Sequence, residues 1–95
     1  MRINNKIITF LKSSFSEKTP EAKLYLFGSR IHDDAQGGDI DVMIISDTLI
    51  EKRMIRNIRV EFYKKFGWQK IDLVNFTFSD TSVFKQLVEK EAIEL

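Results

Sequence analysis

The chain has 95 residues, 43% of them hydrophobic and 31% charged, with no cysteine and a formal net charge of +1. These values predict one globular domain over residues 1–95 in a reducing, cytoplasmic compartment, and they exclude a disulfide framework and a thiolate metal site. The balanced charge gives no indication of a nucleic-acid partner, and no apolar run is long enough for a signal peptide or a membrane span.

The first half of the chain is predicted to form one helix followed by two strands. Apolar residues recur at helical spacing over residues 3–15, which predicts an amphipathic helix. KLYLF at residues 23–27 predicts a short strand that ends at Gly28. Residues 28–38 are polar and contain glycine, so they predict a loop, and DIDVMII at residues 39–45 predicts a central strand.

A long amphipathic helix is predicted next. Thr48 and Glu51 have the spacing of a capping box, which would start this helix. Gly67 is a suitable residue to end it. The helix carries one apolar stripe, because apolar residues recur at every fourth position: Ile50, Met54, Ile58, Phe62 and Phe66.

A third strand and a last helix are predicted after Gly67. KIDLVNF at residues 70–76 predicts the strand, and Ser79 or Asp80 is the predicted cap of the helix. The apolar face of that helix is predicted to consist of Phe84, Leu87 and Val88. Strands that alternate with helices predict a sheet with helices packed against it, but periodicity leaves the order and direction of the strands open.

Three aspartates in the predicted strands form a pattern that indicates metal binding. Asp39 and Asp41 point to the same side of one strand, and carboxylates this close repel each other unless a cation lies between them. Asp72 lies between two apolar residues of the third strand, where a carboxylate without a partner is costly. If the two strands are neighbours, the three aspartates converge into the ligand set of a two-metal site, for which Mg²⁺ is the natural ion.

Each aspartate also has a purely structural interpretation. Asp39 and Asp41, taken alone, are interpreted as solvated residues at the edge of a loop. Asp72 alternatively forms an ion pair with Lys70 or with an arginine of the long helix. The residues that follow the first strand favour the metal site over these alternatives.

Gly28, Ser29 and Arg30 directly follow the first predicted strand and have the chemistry of a phosphate-binding turn. A glycine lets the backbone approach a ligand closely, and the free N–H groups of a following helical turn bind phosphate oxygens. Ser29 adds a hydroxyl group and Arg30 adds a positive charge. The alternatives are that Ser29 caps a helix and that Arg30 points to solvent.

Together these residues resemble a known family. Gly28-Ser29, then nine residues, then the Asp39–Asp41 triplet and a later Asp72 resemble the DNA polymerase β-type nucleotidyltransferase superfamily. Within it, GSR followed by GGDIDVMII resembles the minimal nucleotidyltransferases, small MntA-like proteins that are often paired with a HEPN protein. The resemblance extends over nearly the whole chain, including FKQLVEKEAIEL. One departure is His32, which stands where many members have a second arginine.

The resemblance implies a fold and a reaction. The fold is α+β, a small mixed sheet flanked by helices. The reaction moves a nucleoside monophosphate from ATP or another NTP to an acceptor, and AMP is the group expected first. It implies that Asp39 and Asp41 bind two Mg²⁺ ions, and that Asp72 binds the catalytic ion and helps to activate the acceptor hydroxyl. It also implies that the segment Gly28–Arg30 holds the triphosphate.

The resemblance further implies a HEPN-type toxin as the partner protein. HEPN-paired members act as antitoxins, and some adenylylate a tyrosine of the toxin. Because about 20 residues follow the third strand, enough for one helix, we expect the acceptor to be presented by a partner or by a second copy in a homo-oligomer. Two alternatives remain open: a non-catalytic antitoxin or binding module that acts by contact alone, and a small-molecule nucleotidyltransferase completed by a second subunit.

Overall fold

The computed structural model describes residues 3–28, 39–67 and 69–95. The helices and strands of these residues, in chain order, are α1 (Asn5–Ser16), β1 (Lys23–Phe27), β2 (Ile40–Ser46), α2 (Lys52–Phe66), β3 (Ile71–Thr77), α3 (Val83–Glu91) and β4 (Ile93–Glu94). The predicted α+β class is confirmed, and the first strand has the predicted bounds. Among the described helices, none combines the length and the apolar character needed to cross a membrane.

The four strands form one mixed sheet in the order β3-β2-β1-β4. β2 pairs in parallel with β3 and antiparallel with β1, and β4 adds antiparallel to the other side of β1. The sequence does not predict β4, because a strand of two residues is too short to show an alternating pattern. β2 has a neighbour on each side, and its residues from Val42 to Ser46 are all buried, as expected of a central strand.

One face of the sheet carries the main hydrophobic core. The helices contribute residues at helical spacing, namely Ile7, Leu11 and Phe15 of α1 and Ile58 and Phe62 of α2. The strands contribute alternate residues, namely Leu24, Leu26, Ile40, Val42, Ile44, Ile71 and Leu73. Because successive side chains of a strand point to opposite faces, Asp41 and Asp72 lie on the face opposite to this core.

α3 lies over that opposite face. Phe84 of α3 packs against Phe27 of β1 and Phe76 of β3, with ring centroids 6.5 and 5.7 Å apart. The predicted apolar face of this helix is only partly buried, since Phe84 and Leu87 remain 51% and 59% exposed. Lys85 is buried instead.

The start of α3 differs from the prediction. The helix begins after Ser82, not at Ser79 or Asp80. The Asp80 carboxylate accepts a hydrogen bond from the Ser82 N–H at 2.7 Å, which lowers the pKa of Asp80. The Lys85 ammonium donates to the carbonyl oxygens of Phe78 and Asp80 at 3.1 and 2.9 Å, so its burial leaves it hydrogen-bonded.

The start of α2 also differs from the prediction, whereas its end agrees with it. The capping box is wrong, because Glu51 is itself the N-cap and makes no side-chain cap hydrogen bond. Thr48 instead accepts a hydrogen bond at its carbonyl oxygen from the Ser46 hydroxyl at 2.7 Å. Gly67 ends the helix at φ 78°, and its N–H donates to the carbonyl oxygen of Tyr63.

Asn75 of β3 connects the two parallel strands to the segment that leads into α2. Its Oδ1 accepts a hydrogen bond from the Ile50 N–H at 2.7 Å. Its Nδ2 donates to the carbonyl oxygen of Ile44 at 2.9 Å and to the Ser46 hydroxyl at 3.1 Å. One amide side chain therefore fixes β3 against both β2 and the turn that follows β2.

Asn75→Ala is expected to lower the free energy of unfolding by about 1–3 kcal/mol, because the Ile50 N–H loses its partner in a part-buried place. Urea unfolding followed by circular dichroism measures this change. The control is Asn57→Ala, at an exposed position of α2, which should change the free energy of unfolding by less than about 0.5 kcal/mol. Equal effects of the two substitutions would contradict a bridging role for Asn75.

Candidate functional site

The parallel pairing of β2 and β3 places two carboxylates side by side at one edge of the sheet. Asp41 is the second residue of β2, Asp72 is the second residue of β3, and the two are partners in the register. Partners in register point to the same face of a sheet. The structure therefore brings these two predicted site residues together.

Asp39 joins this cluster from the residue before β2. Its Oδ2 lies 3.4 Å from the Nζ of Lys70, the residue before β3, and the side chains of Asp39 and Lys70 are 41% and 65% exposed. An exposed ion pair of this kind contributes at most about 1 kcal/mol. Lys70 thus pairs with Asp39 and not with Asp72, the partner that the sequence suggested as an alternative.

The surroundings of Asp41 disfavour the negative charge of its carboxylate. Burial raises the pKa of Asp41 above the usual carboxyl value, and the charges of Asp72 and Asp39 and a hydrogen bond with Asp72 raise it further. The charge of Lys70 lowers it, but as the smallest of these effects. The surroundings of Asp41 therefore favour an added positive charge, which a proton or a metal cation supplies.

Gly28 lies against this cluster. It directly follows Phe27, whose register partner is Asp41. Its φ of +77° is a left-handed value that favours glycine, and a Cβ at this position would clash with the Asp41 carboxylate. Gly28 therefore leaves room for a carboxylate, in addition to any role in letting a ligand approach.

The donor atoms of the cluster suit a magnesium ion. They are carboxylate oxygens, the hard ligands that Mg²⁺ prefers. The carboxylates of Asp41 and Asp72 already lie side by side on neighbouring strands. Over residues 3–28, 39–67 and 69–95, no three acidic or histidine side chains are arranged as a ready metal cage. Asp39 forms an ion pair with Lys70 in this structure.

The rest of the predicted phosphate-binding turn lies outside the described residues. This applies to Ser29, to Arg30 and to His32. Of the nucleotide-binding residues predicted from the sequence, the structure therefore places Gly28.

The sequence matches a family of nucleotidyltransferases. The family model described as polymerase beta, nucleotidyltransferase matches residues 5–95. None of the curated proteins compared with this chain is significantly similar to it.

Solved structures with a similar fold include three toxin–antitoxin structures. A crystal structure of a mutant of the toxin–antitoxin MntA–HpeT has a TM-score of 0.72 at 24% identity, covering 99% of this chain and 72% of that chain. A second MntA–HpeT mutant, with two aspartates changed to glutamate, has a TM-score of 0.70 at 20% identity, covering 97% and 71%. A rebuilt structure of the tri-AMPylated Shewanella oneidensis HEPN toxin in complex with MNT antitoxin has a TM-score of 0.64 at 23% identity, covering 95% and 66%. At these identities the likeness concerns the fold alone.

Gly28→Ala is expected to destabilise the protein more than Gly67→Ala. Both glycines have positive φ, so each substitution costs roughly 1–3 kcal/mol, but a Cβ at Gly67 meets no atom within 4 Å. A Cβ at Gly28 displaces the Asp41 carboxylate, which adds about 1 kcal/mol or more. Urea unfolding of the two variants measures the difference.

The excess cost of Gly28→Ala should largely disappear when Asp41 is also replaced by alanine, because the clashing carboxylate is then absent. An excess that persists in the Asp41→Ala background would place its cause in the backbone and not in the cluster.

Asp41→Asn is expected to stabilise the metal-free protein at neutral pH. A carboxyl group with a raised pKa binds its proton more tightly in the folded state, so stability falls as pH rises from the usual carboxyl pKa through the raised one. Removing this charge should raise the Tm at about pH 7 in EDTA above that of the unchanged protein.

The gain should vanish near pH 3, where Asp41 is protonated in both states. The exposed Asp47→Asn serves as the control and should leave the Tm within about 1 °C at both pH values. Differential scanning fluorimetry measures both variants, and a lower Tm for Asp41→Asn at neutral pH would contradict like-charge repulsion at this site.

Proposed function

The chain belongs to the polymerase β nucleotidyltransferase family, and we propose that it transfers AMP from magnesium-bound ATP to a hydroxyl group of a partner protein. The observation that carries this proposal is the register pairing of Asp41 with Asp72. It gathers carboxylates on one face of the sheet, an arrangement that is unfavourable unless a cation completes it.

In this proposal the three aspartates hold magnesium. Asp41 and Asp72 would supply adjacent carboxylates, and Asp39, which pairs with the Nζ of Lys70, would supply a third. Breaking the Asp39–Lys70 pair would cost little, because ion pairs this accessible to solvent are weak. Magnesium held there would neutralise phosphate oxygens and position the attacking and leaving groups.

In the proposed reaction, one group of residues holds the triphosphate and a carboxylate accepts the proton of the acceptor. The absent Cβ at Gly28 leaves the backbone close to the Asp41 carboxylate, and we propose that Gly28 holds the triphosphate together with Ser29 and Arg30. The acceptor oxygen bonds to the α-phosphorus, and the bond from the α-phosphorus to the oxygen that bridges the β-phosphate breaks. Pyrophosphate leaves with that electron pair, and the Asp72 carboxylate accepts the hydroxyl proton.

The proposed acceptor is a HEPN-type toxin, which would make this chain an antitoxin of the cytoplasm, where ATP is available. The support is the fold, since the matching structures include an MNT antitoxin in complex with a tri-AMPylated HEPN toxin. A second copy of the chain in a homo-oligomer remains a prediction.

An α-phosphate label tests this proposal. The protein is incubated with Mg²⁺ and α-labelled ATP in a lysate of its own host, and we expect one protein band to take up the label while γ-labelled ATP leaves it unlabelled. Asp41→Asn and Asp72→Asn should each lower the labelling at least about 100-fold, because each removes a metal-binding carboxylate. Autoradiography of gels measures the transfer.

Asp47→Asn is the matched control, since Asp47 is exposed beyond the other end of β2, and it should label the band as the unchanged protein does. Labelling that persists in both site variants would refute the assigned roles. If no band takes up label from any NTP and calorimetry detects no binding of magnesium-bound NTP, the contact-only binding module becomes the better account.

A further inference from the structure

The charge of the chain is unevenly distributed. α2 carries six basic residues and one acidic residue, although the whole chain has a net charge of only +1. Three of the basic residues are spaced by four and by three positions, so they project from one side of the helix: Lys52, Arg56 and Arg59. We refer to these three residues as the basic row.

The basic row lines a pocket of about 380 Å³ between α2 and β3. The apolar part of the lining includes Leu49, Ile55 and Leu73, and Leu49 is 67% exposed. In the described part of the chain, the ion pairs involve other lysines, and no carboxylate pairs with the basic row. The pocket therefore offers an apolar floor beside cations that the described fold does not neutralise.

This pocket is separate from the carboxylate cluster. Leu73 directly follows Asp72 in β3, but consecutive side chains of a strand point to opposite faces. The pocket lies on the core side of the sheet, next to α2, and β3 is the outermost strand on that side. A molecule in this pocket leaves the aspartate face uncovered.

We propose that the pocket binds an acidic segment of a partner protein. Its carboxylates would meet the basic row, where the two arginines offer paired donors for carboxylate oxygens, and one of its apolar side chains would cover the leucine and isoleucine floor. The positive charge of the basic row favours an acidic ligand, and the apolar floor favours a protein segment with apolar side chains. Among the described residues that line the pocket there is no aromatic side chain on which a nucleobase would stack, which disfavours single-stranded nucleic acid. This inference does not depend on the transfer reaction.

A labelled peptide tests the pocket directly. The probe is a short fluorescein-labelled peptide of glutamates that flank two leucines, titrated with the full chain at low salt and followed by fluorescence anisotropy. Arg56→Glu combined with Arg59→Glu should weaken binding at least about tenfold, because it reverses two charges of the basic row. Amide chemical shifts on peptide binding should change at Arg56, Arg59 and Leu73 and not at Asp41.

The control variant combines Lys64→Glu with Lys90→Glu, which changes the net charge equally at exposed positions outside the pocket. It should bind the peptide within about twofold of the unchanged chain, apart from long-range screening effects. Arg56→Gln combined with Arg59→Gln repeats the test without new negative charge, in case the reversed variant does not fold.

Several results would overturn the proposal. Equal weakening in the control variant would show unspecific attraction, and a peptide with serines in place of the leucines that binds equally well would show that the floor is not used. Tighter binding of oligouridine with the same dependence on Arg56 and Arg59 would make the pocket a nucleic-acid site. No binding of the acidic peptide at low salt would also refute it.

Discussion

The parallel pairing of β2 with β3 is the constraint on which the rest of this structure depends. Its register sets Asp41 opposite Asp72 on one face and aligns Ile40 with Ile71 on the other. Because side chains alternate along a strand, a slip of one residue would place a carboxylate in the core and an isoleucine at the cluster. The buried apolar pairs thus fix the register, and the register in turn fixes the carboxylates.

The two faces of the sheet differ: one carries the hydrophobic core and the other carries the carboxylates. α1 and α2 cover one face with aliphatic and aromatic side chains, and this burial provides most of the favourable free energy of folding. The other face is covered by α3 through Phe84, next to Phe27 and Phe76, while Asp41 and Asp72 lie at its edge. Repulsion between carboxylates is tolerated there because the core on the opposite face holds the strands together.

Charge is divided between these faces as well. The acidic cluster lies at the start of β2 and β3, and the basic row lies on α2 across the sheet. A net charge near zero hides this separation, since the excess positive charge of α2 is balanced by acidic residues elsewhere. In the two proposals the cation binds on one face and the acidic partner on the other, so the two do not compete.

The sequence by itself indicated the fold class and the family. Alternation and helical spacing are local features that predict strands and helices, and the spacing of Gly28-Ser29 and the three aspartates carries the resemblance to the family. The sequence did not determine the start of either later helix: Ser82 caps α3, and the spacing of Thr48 and Glu51 does not form a capping box. It also missed β4, which exists only because β1 offers a free edge to two residues.

Only the tertiary structure decided which charges meet. Lys70 and Asp39 are far apart in the chain, and they pair because each precedes a strand of the same parallel pair. Gly28 lies against Asp41 for a similar reason, since the antiparallel register of β1 with β2 brings it there. Strand order and register arise from packing across the whole sheet, so the distances between distant residues cannot be obtained from the periodicity of one segment.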